Sequence, residues 1–275
     1  IVPGLVLKAM RKRVIYDVHE DLPRQILSKE WIPLWLRQPV SWLTEALEYI
    51  TARTVNGVIT ATPHIAKRFP PEKTAVVQNY PILGELVAES RQLHHQRPPV
   101  FIYVGGITGI RGVRECVEAI GILNESTEAK LILVGNFESD ALLEEVKAMP
   151  GWQYVEHKGF LARDEVASLL AEARAGLVMF HPVPNHVNAQ PNKLFEYMST
   201  GLPVIASDFP SWRELFDKVG CGLLVNPFDT LALAATMQQV LEQPMEAQEM
   251  GERGAAVVRG RLNWDCEAEI LLTTY

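Results

Sequence analysis

Short runs of apolar residues alternate along the chain with stretches in which apolar residues recur every three or four positions. The first pattern is typical of buried strands and the second of amphipathic helices. Strand and helix in regular alternation predict parallel sheets that are covered by helices. In the first part of the chain, the predicted strands are 13–18, 55–61 and 74–78, and the predicted helices are 63–69 and 29–54, the latter interrupted at Pro33 and Pro39.

A second series of strands and helices begins after a region of turn residues between 79 and 99, which ends in Gln96-Arg97-Pro98-Pro99. Such a region indicates a domain boundary. Strands are predicted near 100–105, 130–135, 153–157, 176–181, 203–207 and 222–226, and helices near 111–124, 139–149, 163–173, 191–200, 210–219 and 229–243. This series is typical of a complete doubly wound domain. We assign residues 1–88 to a first domain, 89–256 to a second and 257–275 to a C-terminal helical segment.

Length and composition support this division. A chain of 275 residues with 48% hydrophobic residues can build one large or two ordinary cores. No apolar run approaches the roughly 20 residues of a membrane span. The three cysteines are widely spaced, which argues against a disulfide framework or a zinc site and fits a reducing cytoplasm.

The charge is unevenly distributed. Residues 1–80 hold 11 Lys and Arg against 7 Asp and Glu, a net charge of +4. The rest of the chain has a net charge of −11, which gives the total of −7. Either this is ordinary scatter, or the basic part faces phosphates or an anionic membrane surface. Nucleic acid is not an expected partner, since no strong basic patch and no recognition motif is present.

The stretch 191–207 carries the most specific chemical signal. A polar cluster after Pro191 opens a short amphipathic helix, Gly201 ends it, and a buried strand follows. A helix N-terminus offers unpaired N–H groups and the positive end of a dipole to an anion. Lys193 adds a full positive charge, and Glu196, about one turn further on, adds an acceptor. Phosphate at the amides and a sugar hydroxyl at the carboxylate would together form a nucleotide-sugar site.

Two weaker signals lie at the ends of other predicted strands. Gly105 and Gly106 follow the first strand of the second domain, and Arg111 opens the next helix, so the backbone can approach a phosphate and the guanidinium can bind it. The alternative is a plain strand-to-helix turn. His19 follows the first strand of the chain and could hold a reacting hydroxyl. Alternatively, Asp21 caps the next helix and His19 is merely buried beside it.

Residues 24–54 combine tryptophans and leucines with Arg24, Lys29 and Arg37. One interpretation is domain packing. The other is an interfacial helix that touches lipid or a lipid-linked acceptor. The histidines at 94, 95, 181 and 186 match no recurring metal motif, so we expect no metal site.

Taken together, these motifs resemble those of the retaining, nucleotide-sugar-dependent GT-B glycosyltransferases of the family 4 type. The most specific element is Pro-Asn-Lys-Leu-Phe-Glu-Tyr-Met at 191–198. Tyr-Asp-Val-His-Glu at 16–20, Gln-Asn-Tyr-Pro at 78–81 and Tyr-Val-Gly-Gly at 103–106 occur in the same order as in one branch of that family. The resemblance covers essentially the whole chain, as the second half of an N-terminal domain and a whole C-terminal domain, so we expect the start of the N-terminal domain to be missing.

The resemblance implies an α/β protein with two Rossmann-like doubly wound domains, the N-terminal one incomplete, and a donor in the cleft between them. The segment 257–275 resembles the helix that crosses back to the N-terminal domain. By position in the family's motifs, Glu196 would bind the donor ribose, and Phe160 lies in the loop beside the base. Arg111 stands at the position of a phosphate-binding lysine, and His19 stands at that of the histidine next to the transferred sugar.

The amides of Asn192, Lys193 and Leu194 would meet the donor's phosphates or sugar. Two departures from the family pattern bear on these contacts. Asn188, eight residues before Glu196, replaces the first glutamate of a pair and retains only hydrogen bonding to the sugar. Gly106 stands where many relatives carry a phosphate-binding arginine, and Lys193 could replace that charge.

The implied function is the transfer of a hexosyl group, with retention, from a UDP- or GDP-sugar to a hydroxyl of a glycan or lipid-linked acceptor, in glycan or polysaccharide assembly. Arg111, Lys193 and His19 would act in catalysis, without a metal or cofactor. The enzyme would be cytoplasmic, with a peripheral contact to the inner face of the membrane through residues 24–54. Two alternatives stay open: a nucleotide-sugar epimerase of the same fold, and a truncated or non-catalytic nucleotide-sugar-binding protein.

Overall fold

A computed structural model describes residues 1–29, 31–86 and 92–274. Contacts within the chain divide it into two compact units. The first contains residues 1–80, 183–190 and the chain from Trp264 onward, and the second contains 81–182 and 191–263. The domain boundary that we predicted between residues 88 and 89 lies outside the described residues.

Strands and helices are numbered in chain order. The strands are β1 Ile15–Val18, β2 Gly57–Thr60, β3 Thr74–Val76, β4 Val100–Val104, β5 Lys130–Val134, β6 Val155–Gly159, β7 Ala175–Val178, β8 Val204–Ser207 and β9 Gly222–Val225. The helices are α1 Val2–Ala9, α2 Leu22–Leu27, α3 Leu34–Thr54, α4 Pro63–Ala66, α5 Val113–Leu123, α6 Asp140–Lys147, α7 Arg163–Glu172, α8 Asn192–Ser199, α9 Pro210–Val219, α10 Thr230–Glu242, α11 Pro244–Gly260 and α12 Trp264–Thr274.

The second unit is a doubly wound domain, as predicted. Its six strands are all parallel, in the order β6-β5-β4-β7-β8-β9. Its core is built mainly from apolar side chains of β4, β5 and β7 and from the inner faces of α5 and α10. In this order the chain reverses direction across the sheet between β4 and β7, and the crevice at the carboxyl ends of these two strands is where such folds bind ligands.

The first unit contains a smaller parallel sheet, β1-β2-β3. The C-terminal helix α12 packs against β3 in this unit, and the Gln78 N–H donates to Glu267 Oε2 at 2.8 Å. The pattern of the sequence did not predict α1 or α2. Asp21 stands at the N-cap position of α2, but its side chain makes no capping hydrogen bond and accepts one from Arg68 Nη1 instead, at 2.8 Å.

The predicted interruption of the helix at Pro39 is wrong, whereas Pro33 does mark its start. Helix α3 runs unbroken from Leu34 to Thr54 with Pro39 inside it. The missing N–H removes only one hydrogen bond, to the carbonyl of Trp35. Later turns of α3 are anchored to neighbours: Ser41 Oγ donates to Pro23 O at 2.8 Å, and the buried Glu48 pairs with Arg68.

Within residues 24–54, packing is observed for Ile26, for Ile32 and for one face of α3. The side chains buried on that face are small or polar, namely Ser41, Glu48, Thr51 and Ala52. Many of the large apolar side chains are exposed, including Trp31, Leu34, Trp35, Trp42 and Leu43. Within the described residues, no helix is both long and apolar enough to cross a membrane.

Candidate nucleotide-sugar site

Three segments of the second unit meet at the reversal point of its sheet. The loop from Gly105 to Gly112 follows β4, Met179 and Phe180 follow β7, and α8 begins at Asn192. Aromatic hydroxyls connect β4 to the loop that follows it and to α8. Tyr103 donates to Gly106 O at 2.8 Å, and the Val104 N–H donates to the Tyr197 hydroxyl of α8, also at 2.8 Å.

Gly105 and Gly106 leave room for two cationic side chains. A Cβ atom added at Gly105 would lie 3.5 Å from Lys193 Cε, and one at Gly106 would lie 3.2 Å from Arg111 Nη1. Gly105 also has a φ of 111°, which favours glycine. Both glycines therefore let the backbone of the loop approach a ligand that the two cations could bind.

Arg111 ends a short 3-10 turn directly before α5. Its Nη1 donates to Gly106 O at 3.3 Å, and its Cζ lies 5.5 Å from the centroid of the Phe180 ring. The weak hydrogen bond leaves most of the guanidinium donors available, because this group carries five N–H bonds. Arg111 is thus oriented by the loop and can still bind an anion.

Lys193 is the most unusual side chain of the site. It is only 7% exposed, and its Nζ, 3.4 Å from the centroid of the Tyr103 ring, has no hydrogen-bond partner among the described residues. Burial, with a smaller contribution from the nearby Arg111 charge, holds the pKa of Lys193 well below its usual range. The Tyr103 ring offsets part of the cost of burying the ammonium. An unpaired buried donor is expensive, so an anion at this point would gain a strong interaction.

The start of α8 is only partly open to a ligand. Asn192 and Lys193 occupy its first two positions, whose N–H groups have no acceptor within the helix. The Leu194 N–H, which we also expected to face the donor, donates to Pro191 O at 3.0 Å. A tight first turn therefore uses that amide, and two of the three expected amides remain.

Glu196 lies one turn further along α8 and is held by a residue that the sequence did not point to. Arg163 Nη1 donates to Glu196 Oε1 at 2.9 Å. The other edge of the same guanidinium binds both carboxylate oxygens of Glu85, at 3.1 and 2.8 Å. One feature of the sequence could have indicated Arg163. It is the first residue of the predicted helix 163–173, and a cation at a helix N-terminus is unfavourable because it faces the positive end of the helix dipole.

Phe160 follows β6 at the same edge of the sheet as the other site residues. Its side chain is 81% exposed, which is high for a phenylalanine, and Gly159 before it has a φ of 66°. A large aromatic ring that is presented to solvent at the ligand-binding edge of a doubly wound sheet suits stacking on a planar base.

His19 and Asn188 belong to the first unit. His19 follows β1 and is exposed rather than buried, with Nε2 3.0 Å from Asp17 Oδ2. Asn188 is half-buried in the segment 183–190.

Other histidines have partners or surroundings of their own. His181 Nε2 lies 2.9 Å from Glu115 Oε1, and burial lowers the pKa of His94 to about 4. Within the described ranges, His, Cys, Asp and Glu form no group of three that could hold a metal.

With this geometry in place, comparison with known proteins identifies the class. Residues 98–243 match the family described as glycosyl transferases group 1. The chain belongs to that family. Among curated relatives, it is 24% identical over 261 residues to D-rhamnosyltransferase WbpZ of Pseudomonas aeruginosa, covering 92% of this chain and 64% of the relative. It is 25% identical over 240 residues to the phosphatidyl-myo-inositol mannosyltransferase of Mycobacterium leprae, covering 85% and 55%.

Solved structures show the same fold. Anabaena Alr3699/HepE in complex with UDP matches 99% of this chain and 74% of its own, with a TM-score of 0.78 at 18% identity. Sucrose-phosphate synthase from Thermosynechococcus elongatus matches 99% and 70%, with a TM-score of 0.74 at 21% identity. The predicted GT-B fold class is therefore confirmed. The chain spans less than two thirds of the length of the two curated relatives.

Proposed function

We propose that the second unit binds the diphosphate of a UDP- or GDP-sugar, as the donor side of a retaining glycosyltransferase that moves a hexosyl group to a hydroxyl acceptor. The observation that carries this proposal is the buried ammonium of Lys193, which has no hydrogen-bond partner among residues 1–29, 31–86 and 92–274 and lies beside Arg111 and two glycines. The charge of Arg111 contributes to lowering the pKa of Lys193, so the two cations repel each other, and a bound diphosphate would relieve that repulsion.

The same groups could support the chemical step. When the bond to the sugar breaks, negative charge grows on the leaving diphosphate, and preorganised donors that face this charge lower the barrier. Arg111, Lys193 and the first amides of α8 would act there, so the proposal requires no metal or cofactor. Glu196 would bind the ribose and Phe160 the base. His19 and Asn188 would contact the transferred sugar.

The relatives support this assignment without fixing the substrates. The structures of Alr3699/HepE contain UDP, UDP with glucose, or UDP-glucose. The two curated relatives described above are a rhamnosyltransferase and a mannosyltransferase. A glycan or lipid-linked acceptor and a place in polysaccharide assembly are consistent with these names and form part of the proposal.

Donor binding is the first test. At a nucleotide concentration of 100 times Kd, binding should stabilise the protein by about 2.7 kcal/mol. UDP or GDP should therefore raise Tm by several degrees, whereas uridine and guanosine should not, because they lack the diphosphate. The absence of a Tm shift with either nucleotide would contradict the proposal.

Once a donor is found, NMR of the anomeric configuration of the product tests whether transfer proceeds with retention. Turnover of the donor without an acceptor would indicate an epimerase instead.

We also propose that the exposed apolar face around α3 touches a membrane. Trp31, Trp35 and Trp42 are 78%, 75% and 63% exposed, and tryptophan prefers the interface between water and lipid. The net +4 of residues 1–80 would favour anionic headgroups. This contact would place the protein at the cytoplasmic face of a membrane.

Co-sedimentation with vesicles tests the membrane contact. Each removed indole should forfeit roughly 1.5–3 kcal/mol of apolar burial. The double variant Trp35→Ser/Trp42→Ser should therefore bind anionic vesicles more than tenfold more weakly, a factor that corresponds to about 1.4 kcal/mol. Leu272→Ser is the matched control, because Leu272 is 76% exposed but belongs to α12 rather than to α3. Equal binding by all three proteins would exclude the contact.

A further inference from the structure

Arg163 joins two carboxylates of the second unit through opposite edges of one guanidinium. Its Nε and Nη2 bind Glu85, at 3.1 and 2.8 Å, in the two-point geometry that fixes a guanidinium most firmly. Its Nη1 is left for Glu196, at 2.9 Å. Glu85 therefore sets the plane of the guanidinium, and the guanidinium sets the position of Glu196.

The contribution of these ion pairs to the stability of the protein is too small to explain why Arg163 joins the two carboxylates. Arg163 is 44% exposed and Glu85 is 36% exposed, and ion pairs that are open to water contribute little. Arg163 also stands at the N-terminus of α7, where the helix dipole disfavours a cation. What the arrangement does fix is Glu196, which is only 15% exposed and points one of its oxygens at Arg163.

The second oxygen of Glu196 is the one that a ligand could use. Among the described residues, no donor contacts Glu196 Oε2, so this oxygen is available to accept hydrogen bonds. Arg163 also reduces the negative charge that a dianionic diphosphate would meet at this carboxylate, since one guanidinium partly neutralises Glu85 and Glu196.

Arg163 also lies close in sequence to the loop that carries Phe160, because α7 begins directly after that loop. The Ala162 N–H donates to Glu165 Oε2 at 3.0 Å, and this hydrogen bond fixes the end of the loop.

We propose that Arg163 is a positioning residue for the ribose of the donor, and that Glu85 holds it in place. Arg163 keeps Glu196 oriented, with Oε2 towards the ribose hydroxyls, and connects that carboxylate to the loop beside the base. This inference rests on the proposed function, because it requires a nucleoside diphosphate at the site. Sequence reasoning assigned a role to Glu196 but none to Arg163 or Glu85.

The test is the ribose preference, defined as the affinity for UDP or GDP divided by the affinity for the matching 2′,3′-dideoxynucleotide, measured by calorimetry on the whole chain. Hydrogen bonds to a charged group should make this preference at least about tenfold in the wild type. In Arg163→Gln, the preference should fall by about tenfold, while the affinity for the dideoxynucleotide changes little. Glu85→Gln and Arg163→Lys should give intermediate values, because each keeps part of the geometry.

Arg213→Gln is the control, since Arg213 forms a similar exposed two-point pair with Asp208 in the same unit; its ribose preference should equal that of the wild type. A preference that survives in Arg163→Gln would overturn the inference alone. An equal loss of affinity for both nucleotides would also overturn it, because that result indicates a general structural role. If the wild type binds no nucleoside diphosphate, the proposed function fails together with the inference.

Discussion

Replacing Lys193 with methionine is expected to lower the affinity for UDP or GDP by about a hundredfold, while the unliganded protein becomes no less stable. The two effects have one origin. The ammonium is buried and has no hydrogen-bond partner in the part of the chain that the structure describes, so the free protein bears its desolvation cost. A bound diphosphate would form charge-assisted hydrogen bonds with it, and each such bond contributes roughly 1.5–3 kcal/mol. Methionine fills a similar volume and removes both the cost and the gain.

The same variant should alter how stability depends on pH. The pKa of Lys193 is lowered in the folded protein, so at pH values between that lowered pKa and the ordinary lysine value the unfolded chain binds more protons. The free energy of unfolding of the wild type should therefore rise with pH through that window. Below the window, the full penalty of the buried charge is present. Lys193→Met should lack this rise, which the difference between the two denaturation profiles would show.

Lys218→Met provides the matched control. Lys218 is exposed on α9 and pairs with Glu214 at 2.8 Å, so its loss should change neither nucleotide affinity nor the pH profile appreciably. Calorimetry measures the affinity, and urea denaturation at several pH values measures the stability. A Lys193→Met protein that binds UDP or GDP as tightly as the wild type would show that the ammonium faces no phosphate.

The second unit was predictable because four of its strands, β4, β5, β7 and β8, are buried on both faces along most of their length. Such strands give continuous apolar runs such as Leu131–Val134 and Val204–Ala206, which are bounded by turn residues and separated by amphipathic helices. Local signals of this kind also indicated Lys193, Arg111 and the two glycines. Each of these residues directly follows a strand or lies at the start of a helix. In a doubly wound sheet, such positions lie together at the carboxyl edge of the sheet.

Interactions between distant parts of the sequence were not predictable in this way. The pairing of Arg163 with Glu85 spans 78 positions, and no periodicity marks it. The same holds for Asp21, which local reasoning treats as a cap but which binds Arg68 across 47 positions. The exposure of Trp35 and Trp42 was equally hidden, because a helix with several tryptophans gives the same pattern whether it packs on a domain or faces solvent.

A single methyl group at Gly112 is expected to cost about 3 kcal/mol of folding free energy and to displace Arg111. Gly112 has a φ of 75°, where any other residue is strained by roughly 1–2 kcal/mol. In addition, a Cβ atom there would lie 2.0 Å from Met179 O and 2.7 Å from Met179 Cβ, at the end of the neighbouring strand. Backbone cannot yield as a flexible side chain can, so overpacking should add a further 1–3 kcal/mol or so.

Gly159→Ala separates the two contributions. Gly159 has a similar φ of 66°, but an added Cβ atom would meet nothing within 4 Å, so this variant should lose only the conformational term of about 1 kcal/mol. Urea denaturation of both variants measures the difference. Because Arg111 directly precedes Gly112, the Gly112→Ala protein should also bind UDP or GDP more weakly under conditions where it remains folded. Equal losses of stability in the two variants would mean that the loop after β4 does not press against the end of β7, and the close approach that places Arg111 would be wrong.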